Sequence, residues 1–228
     1  MLILAHRGYH RDLPENTLAA FAAAVALGVD GIETDLRWSA DGQIVLYHDR
    51  LAPDRREVRE RTVAELSKLA GYETPILTAA LDAHPEILWN LEIKDPAVLP
   101  ALIPLLKRYR QSHKLLVSSF WHTAIQEVRQ AVEVECGLLT AHRPLDPVTD
   151  RLGRYADGMA VEAFVWHYDY LSPELVQQTV AMHAKNFVYS AHTQADHDHA
   201  VRCGVDGIIT DEPAHAKAAL RNAPTTSP

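Results

Sequence analysis

Four places in this 228-residue chain put ionisable side chains where an apolar run gives out. LILA at 2–5 leads into His6-Arg7-Gly8, and GIETDL at 31–36 carries Glu33 and Asp35. QIVLYH at 43–48 ends in His48-Asp49, and ILWNLEI at 87–93 carries Glu92 and runs into Lys94. Such runs read as buried strands, where an unpaired charge is costly, so these groups need a common reason to be there. Strand side chains alternate, so Glu33 and Asp35 leave one face together, as do Asn90, Glu92 and Lys94. Converging carboxylates repel one another unless something positive lies between them. Two arrangements meet that need. One is a hard divalent cation, Mg²⁺ or Ca²⁺, which prefers oxygen ligands; the other is a metal-free ion-pair network with Lys94 and Arg7 as partners. Zinc fits less well, because its sites favour His and Cys. His6 and His48 stand beside charged neighbours at two of these strand ends, and a pair of imidazoles there suits acid–base work near neutral pH. The His-rich stretch HTQADHDHA at 192–200 reads instead as the polar opening of a helix.

The elements that must position these groups alternate along the chain. Besides the four runs above, LLVSS at 115–119, VECGLL at 134–139, DGMAV at 157–161, NFVYS at 186–190 and GIIT at 207–210 read as strands. Helical patterns lie between them at 17–28, 63–71, 97–110, 122–132, 172–184, 197–204 and 213–222. Ser172-Pro173 makes a helix start, and Gly28, Gly71 and Gly204 follow helical runs as stop signals. Near-continuous apolar strands alternating with helices imply a parallel sheet covered by helices, and this many strands in so short a chain favour a closed (β/α)₈ TIM barrel over an open sheet. In such a barrel, catalytic groups gather where the strands reach their C-terminal ends. One domain over 1–221 is expected, with NAPTTSP at 222–228 as a disordered tail. GVDGIETDL at 28–36 and GVDGIITDE at 204–212 agree at seven of nine positions, which reads as two barrel units sharing a helix stop, an inner strand and a polar strand end.

Composition removes several classes of function. Lys and Arg number 22 against 30 Asp and Glu, a net charge of −8, and DRREVRER at 54–61 interleaves its arginines with acids, so a nucleic-acid partner is not expected. An acidic surface also repels anions at long range, so any phosphate chemistry must be arranged locally. No GxGxxG or GxxxxGK[ST] motif points to a nucleotide. Two cysteines, Cys136 and Cys203, build no disulfide framework. The opening MLILAHRG lacks a basic start followed by an apolar core, and no stretch of about 18 apolar residues follows, so neither a secretory signal nor a spanning helix is expected and the location is expected to be cytoplasmic.

AHRG at 5–8, PENT at 14–17, GVDGIETDLRWSADGQIVLYHD at 28–49, NLEIK at 90–94 and GVDGIITDEP at 204–213 together resemble the glycerophosphodiester phosphodiesterases, in order and over nearly the whole chain. The resemblance implies a TIM barrel of the phospholipase-C-like phosphodiesterase type, hydrolysing glycerophosphodiesters to glycerol 3-phosphate and an alcohol with one divalent cation, Mg²⁺ or Ca²⁺. It implies Glu33, Asp35 and Glu92 as metal ligands, and His6 and His48 as the acid–base pair. His6 is taken as base and His48 as acid, an order that can be exchanged. Arg7, Lys94 and Glu15 are implied as substrate contacts, while Asn16 or Thr17 caps the first helix. The chain departs from the family pattern twice. Only residues 50–75 separate the HD motif from the next barrel strand, and Ala191-His192-Thr193-Gln194 stands where the family has Trp-Thr-Val-Asn. Trp38, Phe120, Trp121, Phe164 and Trp166 are expected in the core rather than as replacement walls. The alternatives are a diesterase acting on lysophospholipids or another diester, a barrel that binds without turnover, and a metal-free lyase using the His pair and Arg7.

Overall fold

A computed structural model of the chain describes residues 1–142 and 161–222. Its strands are β1 (Leu2–His6), β2 (Gly31–Trp38), β3 (Ile44–Leu46), β4 (Leu88–Ile93), β5 (Lys114–Ser119), β6 (Glu135–Thr140), β7 (Ala163–His167), β8 (Lys185–Tyr189) and β9 (Gly207–Thr210). Eight of them run parallel in the order β1-β9-β8-β7-β6-β5-β4-β2, and β1 pairs β2 to close the cylinder. The helices are α1 (Leu18–Ala26), α2 (Val63–Ala70), α3 (Leu77–Ala83), α4 (Leu99–Tyr109), α5 (His122–Ala131), α6 (Pro173–Val180), α7 (Gln194–Cys203) and α8 (Pro213–Asn222). This is the TIM barrel that the alternating pattern predicts.

Both faces of the strands are buried, and alternation sorts their side chains into two layers. Leu4, Leu116, Leu139, Val165, Phe187 and Ile209 pack on one another inside the cylinder. The intervening Ile32, Trp89, Val117, Leu138 and Phe164 face outward onto helix residues such as Phe21, Leu102 and Ile125. Phe21 meets Trp89 edge-on at 5.2 Å between ring centroids. Each such side chain gains roughly 1.5–3 kcal/mol on burial, which makes the rigid wall on which a polar mouth can be held.

One strand expectation is corrected. QIVLYH is not a barrel strand: β3 pairs antiparallel with β2, Leu36 opposite Leu46 and Trp38 opposite Ile44, and lies outside the cylinder. With β3 out of the wall, β2 and β4 become neighbours, which matters for the site below. DGMAV lies outside the described residues but for Val161, and the next strand among the described residues after β6 is Ala163–His167. Helix α3 was absent from the pattern because it announces no start: Ile76 at its N-cap makes no side-chain hydrogen bond. The expected tail lies outside the described residues except for Asn222, which ends α8. The His-rich stretch does open a helix, α7, with a capping box between Thr193 and Asp196.

Candidate active site

Strand register assembles the mouth. His6 on β1 lies beside Glu33 on β2, and Asp35 on β2 lies beside Glu92 on β4. Ligand-capable oxygens of Glu33, Asp35 and Glu92 fall within 4.8 Å of one another, and all three residues are buried. Lys94 Nζ sits 2.7 Å from Glu92 Oε1 and 3.3 Å from Asp35 Oδ1. Arg7 Nε lies 3.3 Å from Asp35 Oδ2, while its Nη1 donates to both oxygens of Glu15 at 3.0 and 2.9 Å. Neither cation pairs with Glu33. Its Oε2 accepts the backbone N–H of Arg7 at 3.1 Å, and its buried Oε1 accepts nothing from the described residues.

That asymmetry bears on the two arrangements the spacing left open. Burial, and then the Asp35 carboxylate, push Glu33 up to about 8. Glu92 is also raised, burial outweighing the attraction of Lys94. Burial opposes ionisation of Asp35 as well, but Lys94, Arg7 and His48 outweigh it and hold the group below the usual carboxylate range. Lys94 and Arg7 therefore hold Asp35 ionised, while Glu33 pairs with neither, and buried oxygens of Glu33, Asp35 and Glu92 all lack a well-directed hydrogen-bond donor among the described residues. Three clustered oxygen donors with one carboxylate held protonated for want of a cation fit a hard divalent ion.

The histidines reach this centre by different routes. His6 ends β1, and its ring is fixed between Nδ1 at 2.7 Å from Asp211 Oδ1 and Nε2 at 3.9 Å from Glu33 Oε2. Burial alone would lower His6, but the Asp211 hydrogen bond and Glu33 raise it. The chain leaves His6 through Arg7 at φ +54° and Gly8 at φ +79°. A Cβ on Gly8 would lie 2.8 Å from the Ala20 backbone, so only glycine lets this turn press against α1. His48 arrives because β2 folds back through β3: Tyr47 N–H bonds Asp35 O at 3.0 Å, and Arg37 Nε donates to His48 O at 2.8 Å. His48 Nδ1 is 2.9 Å from Asp49 Oδ1. Its pKa is lowered, by burial first and by Arg7 and Lys94 besides, against the pull of Asp35 and Asp49.

All eight residues singled out in the sequence thus face one mouth. Two further residues join them. Asn16, buried at φ +55°, donates from Nδ2 to Asp35 Oδ2 at 2.8 Å and accepts the Thr34 hydroxyl at 2.7 Å. The capping role falls to Thr17, whose side chain accepts the Ala20 N–H. Asp211 carries no motif signal of its own beyond the internal echo, in which it stands where Asp35 stands in the first copy. Of the aromatics, Phe164 and Trp166 are core residues, stacked at 5.1 Å. Phe120 and Trp121 are not; they are 44% and 55% exposed just past the end of β5, with Phe120 edge-on to Tyr189. A recess of about 310 Å³ adjoins His48, lined by Glu15, Asn16, Tyr47, Asp49 and Tyr72 among others.

Residues 6–215 match the Glycerophosphoryl diester phosphodiesterase family. The chain is 32% identical to a glycerophosphodiester phosphodiesterase of Caldanaerobacter subterraneus subsp. tengcongensis, the match covering 93% of this chain and 94% of that protein. Its fold is similar to the crystal structure of the glycerophosphodiester phosphodiesterase of Thermotoga maritima, with TM-score 0.83, 24% identity and coverage of 97% of this chain and 98% of that one. It is equally similar to a phosphodiesterase of Oleispira antarctica solved in complex with the product sn-glycerol-3-phosphate, with TM-score 0.84, 22% identity and coverage of 97% of each chain. Among the described residues, no helix is long and apolar enough to cross a membrane.

Proposed function

Because this chain belongs to the glycerophosphoryl diester phosphodiesterase family and is a phosphoric diester hydrolase, we propose that it cleaves glycerophosphodiesters to glycerol 3-phosphate and an alcohol with a divalent cation and a His6–His48 acid–base pair. The observation that carries the reading is the buried triad of Glu33, Asp35 and Glu92, with His6 Nε2 3.9 Å from Glu33 and His48 near enough for its charge to act on Asp35. Glu33, Asp35 and Glu92 would hold the ion, Mg²⁺ or Ca²⁺, whose charge offsets the repulsion that a phosphodiester anion presents to a nucleophile. Arg7 offers fork-shaped donors to the non-bridging oxygens, and Lys94 adds a point charge beside them. Glu15 keeps the Arg7 guanidinium turned toward the mouth through its paired contacts.

His6, backed by Asp211, is the more basic ring and takes the proton of the nucleophile at Nε2. His48, held at Nδ1 by Asp49 and lining the recess beside the mouth, protonates the departing alcohol oxygen. The complex of the Oleispira antarctica phosphodiesterase with the product sn-glycerol-3-phosphate agrees with a glycerophosphoryl product. The exposed Phe120 and Trp121 favour a second reading, a diester with an apolar group on its alcohol side, and comparing glycerophosphocholine with lysophosphatidylcholine separates the two.

The test uses leaving groups. His48→Ala lowers turnover of alkyl diesters by about 10²–10⁴-fold, while a nitrophenyl ester, whose leaving group needs no proton, loses only a few-fold. His6→Ala lowers both alike. Equal, near-normal rates for both variants on both esters, with circular dichroism unchanged, would sink the acid–base assignment.

A further inference from the structure

We propose that Asp211 is a positioning residue for His6, locking its ring and tautomer so that Nε2 faces the centre of the mouth with its lone pair free. The inference rests on the reading of His6 as the base. An ionised carboxylate has no hydrogen to give, so in the 2.7 Å contact with Asp211 Oδ1 the donor is His6 Nδ1–H. A neutral imidazole with its proton on Nδ1 is an acceptor at Nε2, and Nε2 is the atom on the triad side, 3.9 Å from Glu33 Oε2. Take the carboxylate away and nothing among the described contacts holds Nδ1. The ring is then free to turn over and to carry its proton on Nε2, the state that cannot accept one.

The surroundings hold Asp211 for this task. It is the first residue after β9, in a corner tied down by Glu212 N–H to Thr210 Oγ1 at 2.9 Å. Arg11 Nη2 reaches Glu212 at 2.7 Å, so the loop leaving β1 and the turn leaving β9 are fastened to each other beside His6. His10 approaches the same Asp211 oxygen at 3.6 Å, and its ring lies edge-on to His6 at 6.4 Å. The shorter contact belongs to His6. Carboxylate–imidazole pairs of this kind fix orientation and tautomer elsewhere in general-base chemistry, and losing the right tautomer there costs orders of magnitude in rate.

Asp211→Ala is expected to lower kcat by about 10²-fold or more with KM changed by less than about threefold. Asp211→Asn, which keeps the side-chain shape, also loses rate, since its amide can present N–H to the ring. ¹⁵N NMR of the ion-free protein at a pH where His6 is neutral should show the Nδ1–H form in the wild type, and a mixture or the Nε2–H form in both variants. In a His6→Ala background, Asp211→Ala should add little. Wild-type tautomer in both variants, or a further full loss in the His6→Ala background, overturns the proposal. So does an equal loss from His10→Ala, which would mean that Asp211 works through the wrong ring. If His6→Ala is itself near-normal, the base assignment falls along with its positioning residue, whereas a dead His6→Ala beside a normal Asp211→Ala removes this inference alone.

Discussion

The strands β2 and β9 begin from one sequence pattern and flank β1 on its two sides at the active mouth. At the bottom of the barrel they are alike. Asp30 Oδ2 accepts the Ile3 N–H at 2.8 Å, and Asp206 Oδ2 accepts the Asn186 N–H at 2.7 Å, so each aspartate caps the foot of a neighbouring strand. A Cβ on Gly31 would meet Leu88 O at 2.8 Å, and one on Gly207 would strike the Phe187 ring, so both units enter the wall by close approach. Thr34 and Thr210, at equivalent positions, are both buried and both hydrogen-bonded, to Asn16 and to His197. Above that level the copies part. Where β2 has Glu33, β9 has Ile209, which packs with Leu4 and Phe187 in the apolar interior. Then β9 stops and its aspartate, Asp211, turns to His6, while β2 runs on to Trp38 and folds back to deliver His48. Shared residues maintain the barrel and supply an aspartate to each side of His6; Glu33, and the chain that follows β2, add the rest of the chemistry.

The largest effect expected from erasing that divergence is at its single inward substitution. Glu33→Ile copies β9 into β2 and should cut ion-dependent turnover by at least ~10³-fold with the fold intact, because an isoleucine is already housed at the same phase of a barrel strand. Persistent chelator-sensitive turnover in a folded Glu33→Ile protein would remove Glu33 from the ligand set.

A middle-sized effect comes from protons. Without an ion, Glu33 carries its proton up to about 8, against an ordinary 4.5, so its contribution to stability is full below about pH 4.5 and is lost as pH rises through 8. Ion binding needs the carboxylate, so near pH 6.5 titration calorimetry in buffers of different ionisation enthalpy should register about one proton released per ion, fading to none above about pH 9. The ion should also abolish the decline in melting temperature between pH 5 and 8. No proton release across that range would contradict a cation at Glu33.

The smallest effects test what the copies share. Asp30→Ala and Asp206→Ala each leave a strand-foot N–H without its acceptor and should each cost about 1 kcal/mol, a fall of about 2–4 °C in melting temperature, with turnover unchanged. Markedly unequal losses in thermal melts would show that the two feet are not equivalent.

Much of this was legible before any coordinates. The chain of apolar runs broken by His6, Glu33, Asp35, His48, Glu92 and Lys94 needed no third dimension, because charges inside buried strands are rare without a purpose. Glycine stops and capping residues marked most helices, since those signals act within a few residues. What escaped were features whose cause lies far off in sequence. QIVLYH has the composition of a wall strand, yet it pairs antiparallel on the outside of β2, and composition does not record pairing direction. Asn16 looks like a cap because it precedes a helix, and its partner Asp35 is 19 residues away. Asp211 looks like a strand end, and its partner His6 is 205 residues away.

Local alternation was enough to say which side chains share a face, since every second residue of a strand points the same way. It was silent on which strands are neighbours. The adjacency of β2 and β4 brings Asp35 level with Glu92, and the closure of β1 onto β2 and β9 sets His6 between Glu33 and Asp211. Those placements arise from packing the whole cylinder, where register is chosen by burying every strand at once, and no single segment contains that choice.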